Sequence, residues 1–124
     1  MSLLLDTHVV LWWLGQDPGL SEEARNTIAS DPQVFVSAAT AWEIAIKQNT
    51  GKLRSPADLE AQLARHSFEH LPITLAHALR AGSLPKHHND PFDRMLVAQA
   101  AIEGLTLVTR DSRIARYGVA TLPA

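Results

Sequence analysis

Four carboxylates in this chain occupy positions that a metal-dependent hydrolase could use. They are Asp6 after the apolar run LLL, Glu43 in the helical pattern SAATAWEIAIKQ, Asp93 after DPF, and Asp111 after LTLVTR. Two carboxylates about 4 Å apart repel each other by roughly 4 kcal/mol at an effective dielectric constant near 20. A fold that gathers the four would therefore take up protons or a cation, and oxygen ligands favour Mg²⁺ or Mn²⁺.

Short apolar runs alternate with helical patterns along the chain, which predicts an α/β fold with a mainly parallel sheet. The predicted strands are residues 3–5, 34–36, 105–108 and 119–122, with 71–73 as an edge strand because it contains Pro72. Ligands of open parallel sheets bind beyond the carboxyl ends of the strands. Asp6 and Asp111 are therefore expected at the same edge of the sheet.

Capping residues mark the helices between these strands. The predicted helices are 9–14, 22–29 after Ser21, 40–49 before Gly51, one opened by Ser55-Pro56, one from Thr74 to about Gly82, and the longest from Asp90-Pro91 to Gly104. No linker or repeat divides the chain, so residues 1–124 are expected to form one domain.

Each acid also has a structural explanation. Asp6 and Asp111 could cap the helices that follow them. Glu43 could pair with Lys47 one turn later, which contributes about 0.2–0.5 kcal/mol. Asp93 could complement a helix dipole, worth roughly 0.3–1 kcal/mol, although the neighbours on its face of the helix are apolar and predict burial. Two of the acids follow strands and two lie in helices beside apolar faces, and together these positions add weight to a shared site.

Composition limits the class of protein. The chain of 124 residues has 46% hydrophobic residues, no cysteine and a net charge of -2. Thiolate sites and disulfides are excluded, no apolar run reaches the ~20 residues needed to cross a bilayer, and no signal peptide is recognised. A cytoplasmic location, without membrane association, is expected.

The sequence gives weaker evidence for a functional role of the basic and aromatic residues near the acids. Two basic groups could rim an acidic pocket and bind phosphates, or could be solvated helix ends; they are Lys47, Lys52 and Arg54, and Arg110, Arg113 and Arg116. His87-His88 with Asp90 could bind zinc or manganese, but a flexible polar loop is the preferred interpretation. His8 is expected at the rim of the site. Trp12 and Trp13 are expected in the core or at an interface.

The segments DTHVVLWWL, AATAWEIAIK, HNDPFDRMLVAQA and LTLVTRD resemble, in order, the four acidic blocks of PIN-domain ribonucleases. The resemblance spans nearly the whole chain and is closest to VapC-type toxins of bacterial toxin–antitoxin pairs. It implies a Rossmann-like fold with a mostly parallel sheet. It also implies that Asp6, Glu43, Asp93 and Asp111 are the metal-binding and catalytic acids.

The resemblance extends to other residues of the site. It selects Asp93, three residues before an aliphatic-small pair, as the ligand and leaves Asp90 as a cap or outer residue. Thr7 and Thr109 match hydroxyl residues near such sites, and Arg94 and Arg110 are candidates for phosphate contacts.

The implied activity is hydrolysis of an RNA phosphodiester with one or two Mg²⁺ or Mn²⁺ ions, leaving a 5′-phosphate and a 3′-hydroxyl. The implied partners are a second copy of the chain, as a homodimer, and a small antitoxin, with the surface at Trp12 and Trp13 as one candidate interface.

A phosphatase of the haloacid dehalogenase type would require an aspartate where His8 stands, and a receiver domain would require a lysine after its late strand. A catalytically inactive PIN-like interaction module remains the alternative.

Overall fold

A computed structural model describes residues 1–51 and 58–124 of the chain. Within them, five strands form one sheet in the order β3-β2-β1-β4-β5, and every pairing is parallel. The strands are β1 Ser2–Leu5, β2 Gln33–Ser37, β3 Glu69–Leu71, β4 Thr106–Thr109 and β5 Thr121–Pro123. The predicted α/β class with a mainly parallel sheet is confirmed.

The largest differences from the predicted strand boundaries are at β3 and β5. β3 was expected at 71–73, but it ends at Leu71, directly before Pro72. Proline has no backbone N–H to donate to the sheet, so the strand takes the residues on its amino side. The last strand begins at Thr121 and not at Val119, because Gly118 has a φ of 77°. A turn with this left-handed conformation separates it from α7.

Seven helices surround the sheet in the described part of the chain. They are α1 Thr7–Leu14, α2 Glu22–Ser30, α3 Ala38–Asn49, α4 Leu59–Arg65, α5 Leu75–Ser83, α6 Pro91–Glu103 and α7 Ser112–Ala115. Among the described helices, none has the length and apolar character required to cross a membrane.

The predicted caps are present at three of these helices. The side chains of Ser21, Thr74 and Asp90 accept backbone hydrogen bonds from the first turns of α2, α5 and α6. Gly104 ends α6 with a φ of 68°, a conformation that glycine adopts without strain. The predicted Ser55-Pro56 helix start lies outside the described residues, and α4 is capped by Asp58.

The sheet is covered on both faces, which explains its continuous apolar strands. Leu3 and Leu5 of β1 pack into a cluster that includes residues from α1, α2, α3 and α4. Leu4, between them, faces the opposite side and packs in a second cluster with residues of α6 and α7. Because successive side chains of a strand alternate between faces, one short strand anchors both halves of the core.

Two isoleucines of α3 provide a matched test of this packing. Ile44 is fully buried, whereas Ile46 is 40% exposed. Truncating Ile44→Ala should lower the free energy of unfolding by about 2–5 kcal/mol, since it leaves a cavity in the core. Ile46→Ala makes the same chemical change in the same helix and should cost much less. Urea unfolding of both variants measures the difference, and equal losses would contradict the described orientation of α3.

Candidate functional site

The carboxyl ends of β1 and β4 form the floor of an acidic cleft. The two strands are neighbours, with Leu5 of β1 opposite Val108 of β4. The chain leaves β1 toward β2 on one side and returns as β4 on the other, the kind of crossover point at which parallel sheets bind ligands. The cleft has a volume of about 190 Å³ and is lined by Asp6, His8, Trp12, His88, Asp90, Asp93, Arg110, Asp111 and Arg113.

Asp6 and Asp111 are helix caps as well as cleft residues. Asp6 Oδ1 accepts a hydrogen bond of 2.9 Å from Val9 N at the start of α1. Asp111 Oδ1 accepts one of 2.9 Å from Arg113 N in α7. Thr109 joins the two acids, because its hydroxyl donates to Asp6 Oδ2 at 2.5 Å and accepts from Asp111 N at 3.1 Å. The predicted hydroxyl at this position therefore holds the carboxylate of Asp6 and the backbone of Asp111.

Glu43 lies behind the cleft, with both carboxylate oxygens engaged. Thr7 Oγ1 donates to Oε1 at 2.7 Å, and Lys47 Nζ lies 2.8 Å from Oε2. Glu43 is only 5% exposed. Its hydrogen bond also raises the pKa of Lys47, and the charges of Asp90 and Asp93 contribute to that rise. The Glu43–Lys47 pair expected from the sequence is therefore present. Lys47 lies close enough to the acids of α6 to interact with their charges.

Asp90 and Asp93 have different environments at the start of α6. Asp90 Oδ1 accepts hydrogen bonds from Phe92 N and Asp93 N, so Asp90 is the cap. Asp93 projects from the first turn, on the buried side of the helix that Leu96 and Val97 share. One of its carboxylate oxygens, Asp93 Oδ2, lies 3.0 Å from His88 Nε2. Asp93 Oδ1 has no hydrogen-bond partner among the described residues, and Asp93 lines the cleft.

The environments of the acids shift their pKa values in opposite directions. Burial raises the pKa of Asp93 to about 7, and the neighbouring charge of Asp90 adds to the rise. Burial also raises the pKa of Asp6, although hydrogen bonds from Thr109 and Val9 oppose it. The hydrogen bond from Arg113 holds the pKa of Asp111 well below its usual range. Asp93 therefore has the least compensated negative charge of the cleft.

His88 is a cleft residue whose position the sequence interpretation missed. His88 lies in a loop, as the preferred interpretation predicts, but its side chain is only 5% exposed and lies 2.8 Å from Asp111 Oδ2. Together His88, Asp93 and Asp111 place three potential metal-binding atoms within 4.8 Å of one another. The sequence contains one indication that the His88 ring lies near the start of α6. His88 is two residues before the Asp90 cap, and its ring accepts a hydrogen bond from Asp90 N.

The two predicted phosphate-binding arginines have different positions. Arg94 has structural contacts, because its guanidinium donates to the backbone carbonyl oxygens of Ala81, Leu84, Pro85 and His88. These bonds tie the loop before α6 to that helix and leave the side chain committed. Arg110 does line the cleft. It lies over the Trp12 ring and donates to the carbonyl oxygens of Gly19 and Ala124.

The remaining histidine, tryptophan and basic candidates lie at different distances from the acids. His8 lines the cleft, as expected. Trp12 and Trp13 are partly buried against the first core cluster. Lys52 and Arg54 lie outside the described residues. Arg113 pairs with Asp111, with Nη2 2.9 Å from Oδ2.

A family model described as the PIN domain matches residues 3–120 of the chain. The chain belongs to the PIN domain family. It is 34% identical over 117 residues to ribonuclease VapC22 of Mycobacterium tuberculosis, an alignment that covers 91% of this chain and 89% of that protein. This similarity agrees with the VapC-type resemblance of the four acidic segments.

Solved structures with the same fold include toxin–antitoxin complexes. DNA-bound VapBC from Salmonella typhimurium matches this PIN domain with a TM-score of 0.70 and 17% identity, over 99% of this chain and 98% of that one. VapBC2 from Rickettsia felis, bound to a promoter DNA fragment, matches with a TM-score of 0.73 and 15% identity, over the same shares of the two chains. At such low identity these two structures show the fold alone.

The donor groups of this PIN domain fit a hard divalent cation. Asp6, Asp93 and Asp111 present carboxylates to one small cleft, and oxygen ligands of this kind suit Mg²⁺ and Mn²⁺. The open Oδ1 of Asp93 and the raised pKa of that carboxyl both indicate a negative charge without a matching cation. A bound cation would favour the ionised form of Asp93 and relieve this cost.

The raised pKa of Asp93 predicts how metal-free stability depends on pH. The carboxyl has a pKa of about 7 in the folded protein and about 4 when unfolded. The folded state binds more protons in this window, so the free energy of unfolding should fall as pH rises from about 4 to about 7. Asp93→Asn removes this loss and should be more stable than the wild type at pH 8 in EDTA, by about 1 kcal/mol or more.

Urea unfolding at several pH values measures this effect, and Asp17→Asn is the matched control. Asp17 is exposed, and its Oδ1 accepts from Gly19 N, a bond that asparagine can keep. The control should follow the wild-type pH profile. A lower stability of Asp93→Asn than of the wild type at pH 8 would show that the Asp93 charge is already compensated.

Proposed function

We propose that this PIN domain is a Mg²⁺- or Mn²⁺-dependent endoribonuclease toxin whose activity a small antitoxin inhibits. The observation that carries the proposal is the convergence of Asp6, Asp93 and Asp111 in one cleft, with Asp93 least compensated. The 34% identity to a ribonuclease of the VapC type supports RNA as the substrate. RNA and an antitoxin would both be met in the cytoplasm, where we propose that the protein acts.

Asp6, Asp93 and Asp111 would hold the cation, and Glu43 would complete the site through water. A bound divalent ion lowers the pKa of water and polarises a phosphate oxygen. Hydrogen bonds of Thr109 fix the position of Asp6 Oδ2 relative to the backbone of Asp111. These fixed contacts limit how far the carboxylates can move when substrate binds, which is the preorganisation that hydrolysis requires.

Two cationic groups could balance the charge of the RNA backbone at this acidic site. Arg110 Nη1 has no hydrogen-bond partner among the described residues, although the rest of its guanidinium is held by carbonyl oxygens. Lys47 has 40% of its side chain exposed beside Glu43. Both residues can approach a phosphate without leaving their present partners, and phosphate contacts of this kind position nucleic acid without reading its sequence.

Asp6→Asn is the direct test of the catalytic role. Asparagine keeps an oxygen that can accept from Val9 N and cap α1, but it removes the negative charge. Mg²⁺-dependent cleavage of RNA should fall by at least about 100-fold, since several kcal/mol of transition-state stabilisation depend on the bound ion. Cleavage assays with purified protein, with EDTA and then with excess Mg²⁺, measure the effect.

The exposed Asp17→Asn variant is again the control and should cleave at the wild-type rate. Circular dichroism should show the same fold for both variants. The products should carry 5′-phosphate and 3′-hydroxyl ends, which sequencing of RNA ends identifies. Wild-type protein that binds no metal and cleaves no RNA would favour the inactive interaction module instead.

We propose further that the protein forms a homodimer in addition to its antitoxin complex. Leu75 and Leu79 lie one turn apart on α5 and are 77% and 67% exposed. Such a pair on one helix face is a candidate contact for a second copy. The half-buried Trp12 and Trp13 are less suited to this role, and their contact with a partner stays a prediction.

Light scattering tests the dimer through Leu79→Lys. The charge should shift the wild-type dimer toward monomer, because an unpaired lysine would be buried in the contact. Ala64→Lys, at an exposed position of the separate helix α4, is a surface control that should leave the mass unchanged. A wild-type protein that is monomeric at high concentration would contradict the homodimer without affecting the proposed nuclease activity.

A further inference from the structure

The hydrogen bonds of His88 assign a proton to one of its two ring nitrogens. The backbone N–H of Asp90 donates to His88 Nδ1 at 3.1 Å. A nitrogen that accepts a hydrogen bond from an N–H group has its lone pair in that bond and carries no proton. The proton of the neutral ring therefore lies on Nε2, which is the nitrogen that faces the acidic cleft.

The Nε2 atom faces two carboxylates from different parts of the fold. It lies 2.8 Å from Asp111 Oδ2, in hydrogen-bonding geometry, and 3.0 Å from Asp93 Oδ2. Asp111 follows β4, whereas Asp93 is in α6. A protonated Nε2 between them donates to Asp111 and keeps Asp93 beside it, so the ring connects the two acids.

This arrangement is the reverse of the one expected for a histidine that binds metal. A metal-binding histidine uses the lone pair of one nitrogen and donates the N–H of the other to a carboxylate, carbonyl or water. Here the second nitrogen, Nδ1, faces a donor and not an acceptor. Binding a cation through Nε2 would require the ring to lose its only proton or to break the bond to Asp90.

The backbone of His88 is also held in place. Its N–H donates to Tyr117 Oη at 3.0 Å, and its carbonyl oxygen accepts from Arg94 at 3.3 Å. Tyr117 in turn donates to the carbonyl oxygen of Pro85 at 2.8 Å. With the side chain 5% exposed, a rotation of the ring would disturb several hydrogen bonds at once.

We propose that His88 is a positioning residue that donates Nε2–H to Asp111, sets the separation of Asp93 and Asp111, and leaves the metal to oxygen ligands alone. The proposal rests on the proposed metal-dependent function. It makes a prediction about metal choice, because a site with only oxygen ligands favours Mg²⁺ and Mn²⁺, whereas an imidazole ligand would favour Zn²⁺ and its neighbours.

Nitrogen-15 NMR of the wild-type protein tests the proton assignment. In spectra of the histidine ring, Nε2 should carry the proton, both without metal and with saturating Mg²⁺. In Mn²⁺-loaded protein with ¹⁵N-labelled histidine, electron spin-echo spectra should show no directly bonded nitrogen. A proton on Nδ1 in either state, or a nitrogen bonded to manganese, would overturn the proposal.

Two substitutions separate positioning from ligation. Gln can place a donor N–H near the position of Nε2, whereas Leu cannot, so His88→Leu should weaken Mg²⁺ binding by about 10- to 100-fold. His88→Gln should recover most of that loss. His87→Gln on the exposed neighbour should behave as the wild type. Calorimetric titration with Mg²⁺ gives the affinities, and cleavage assays should follow the same order.

The outcomes also distinguish this proposal from the proposed function. If the wild type binds no Mg²⁺, the metal-dependent function fails, and the role of His88 toward the metal fails with it. If the wild type binds Mg²⁺ and cleaves RNA but His88→Leu has unchanged affinity and rate, only the positioning role is wrong. If His88→Leu does not fold, the NMR measurement on the wild type still decides the assignment.

Discussion

The repulsion among carboxylates at the shared edge of β1 and β4 is the constraint on which the site depends. The parallel register puts Leu5 opposite Val108, so the residues that follow these strands enter the same cleft. Asp6 and Asp111 also cap α1 and α7, which fixes their backbones. The repulsion between these carboxylates is unfavourable, but the same residues stabilise the starts of the helices that cover the sheet.

Compensation of this cost is unequal among the acids. Arg113 and His88 hydrogen-bond to Asp111, and Lys47 pairs with Glu43. Asp93 has no arginine or lysine partner among the described residues, and its pKa rises to about 7. Under the proposed function, this difference would give the cleft one carboxylate, Asp93, that exchanges a proton for a cation near neutral pH.

The elements of the fold were predictable where local rules determine them. The Asp90-Pro91 start and the Gly104 end of α6 follow from capping chemistry, and the apolar runs marked the central strands. The convergence of Asp6 and Asp111 followed from strand direction alone. The position of β3 was less predictable, since an edge strand has few apolar residues to define its boundaries.

The environment of the acids depends on contacts between distant segments, which sequence patterns do not specify. His88 reaches Asp111 across 23 positions of the chain, and nothing in the HHND segment indicates that partner. Arg94 looked available for phosphate, but the carbonyl oxygens of the preceding loop surround its guanidinium. Both residues look like free polar groups in the sequence, whereas the fold buries His88 and engages the guanidinium of Arg94 in hydrogen bonds.

We propose that Asp6, Asp93 and Asp111 bind a divalent cation through oxygen atoms alone. A crystal structure of the protein with Mn²⁺ is the sharpest test, because anomalous scattering locates the ion independently of its ligands. The ion should lie in the cleft, coordinated by carboxylate oxygens and water, with His88 Nε2 still hydrogen-bonded to Asp111. An ion bound by His88 Nε2, or a cleft that stays empty at saturating Mn²⁺, would contradict the claim.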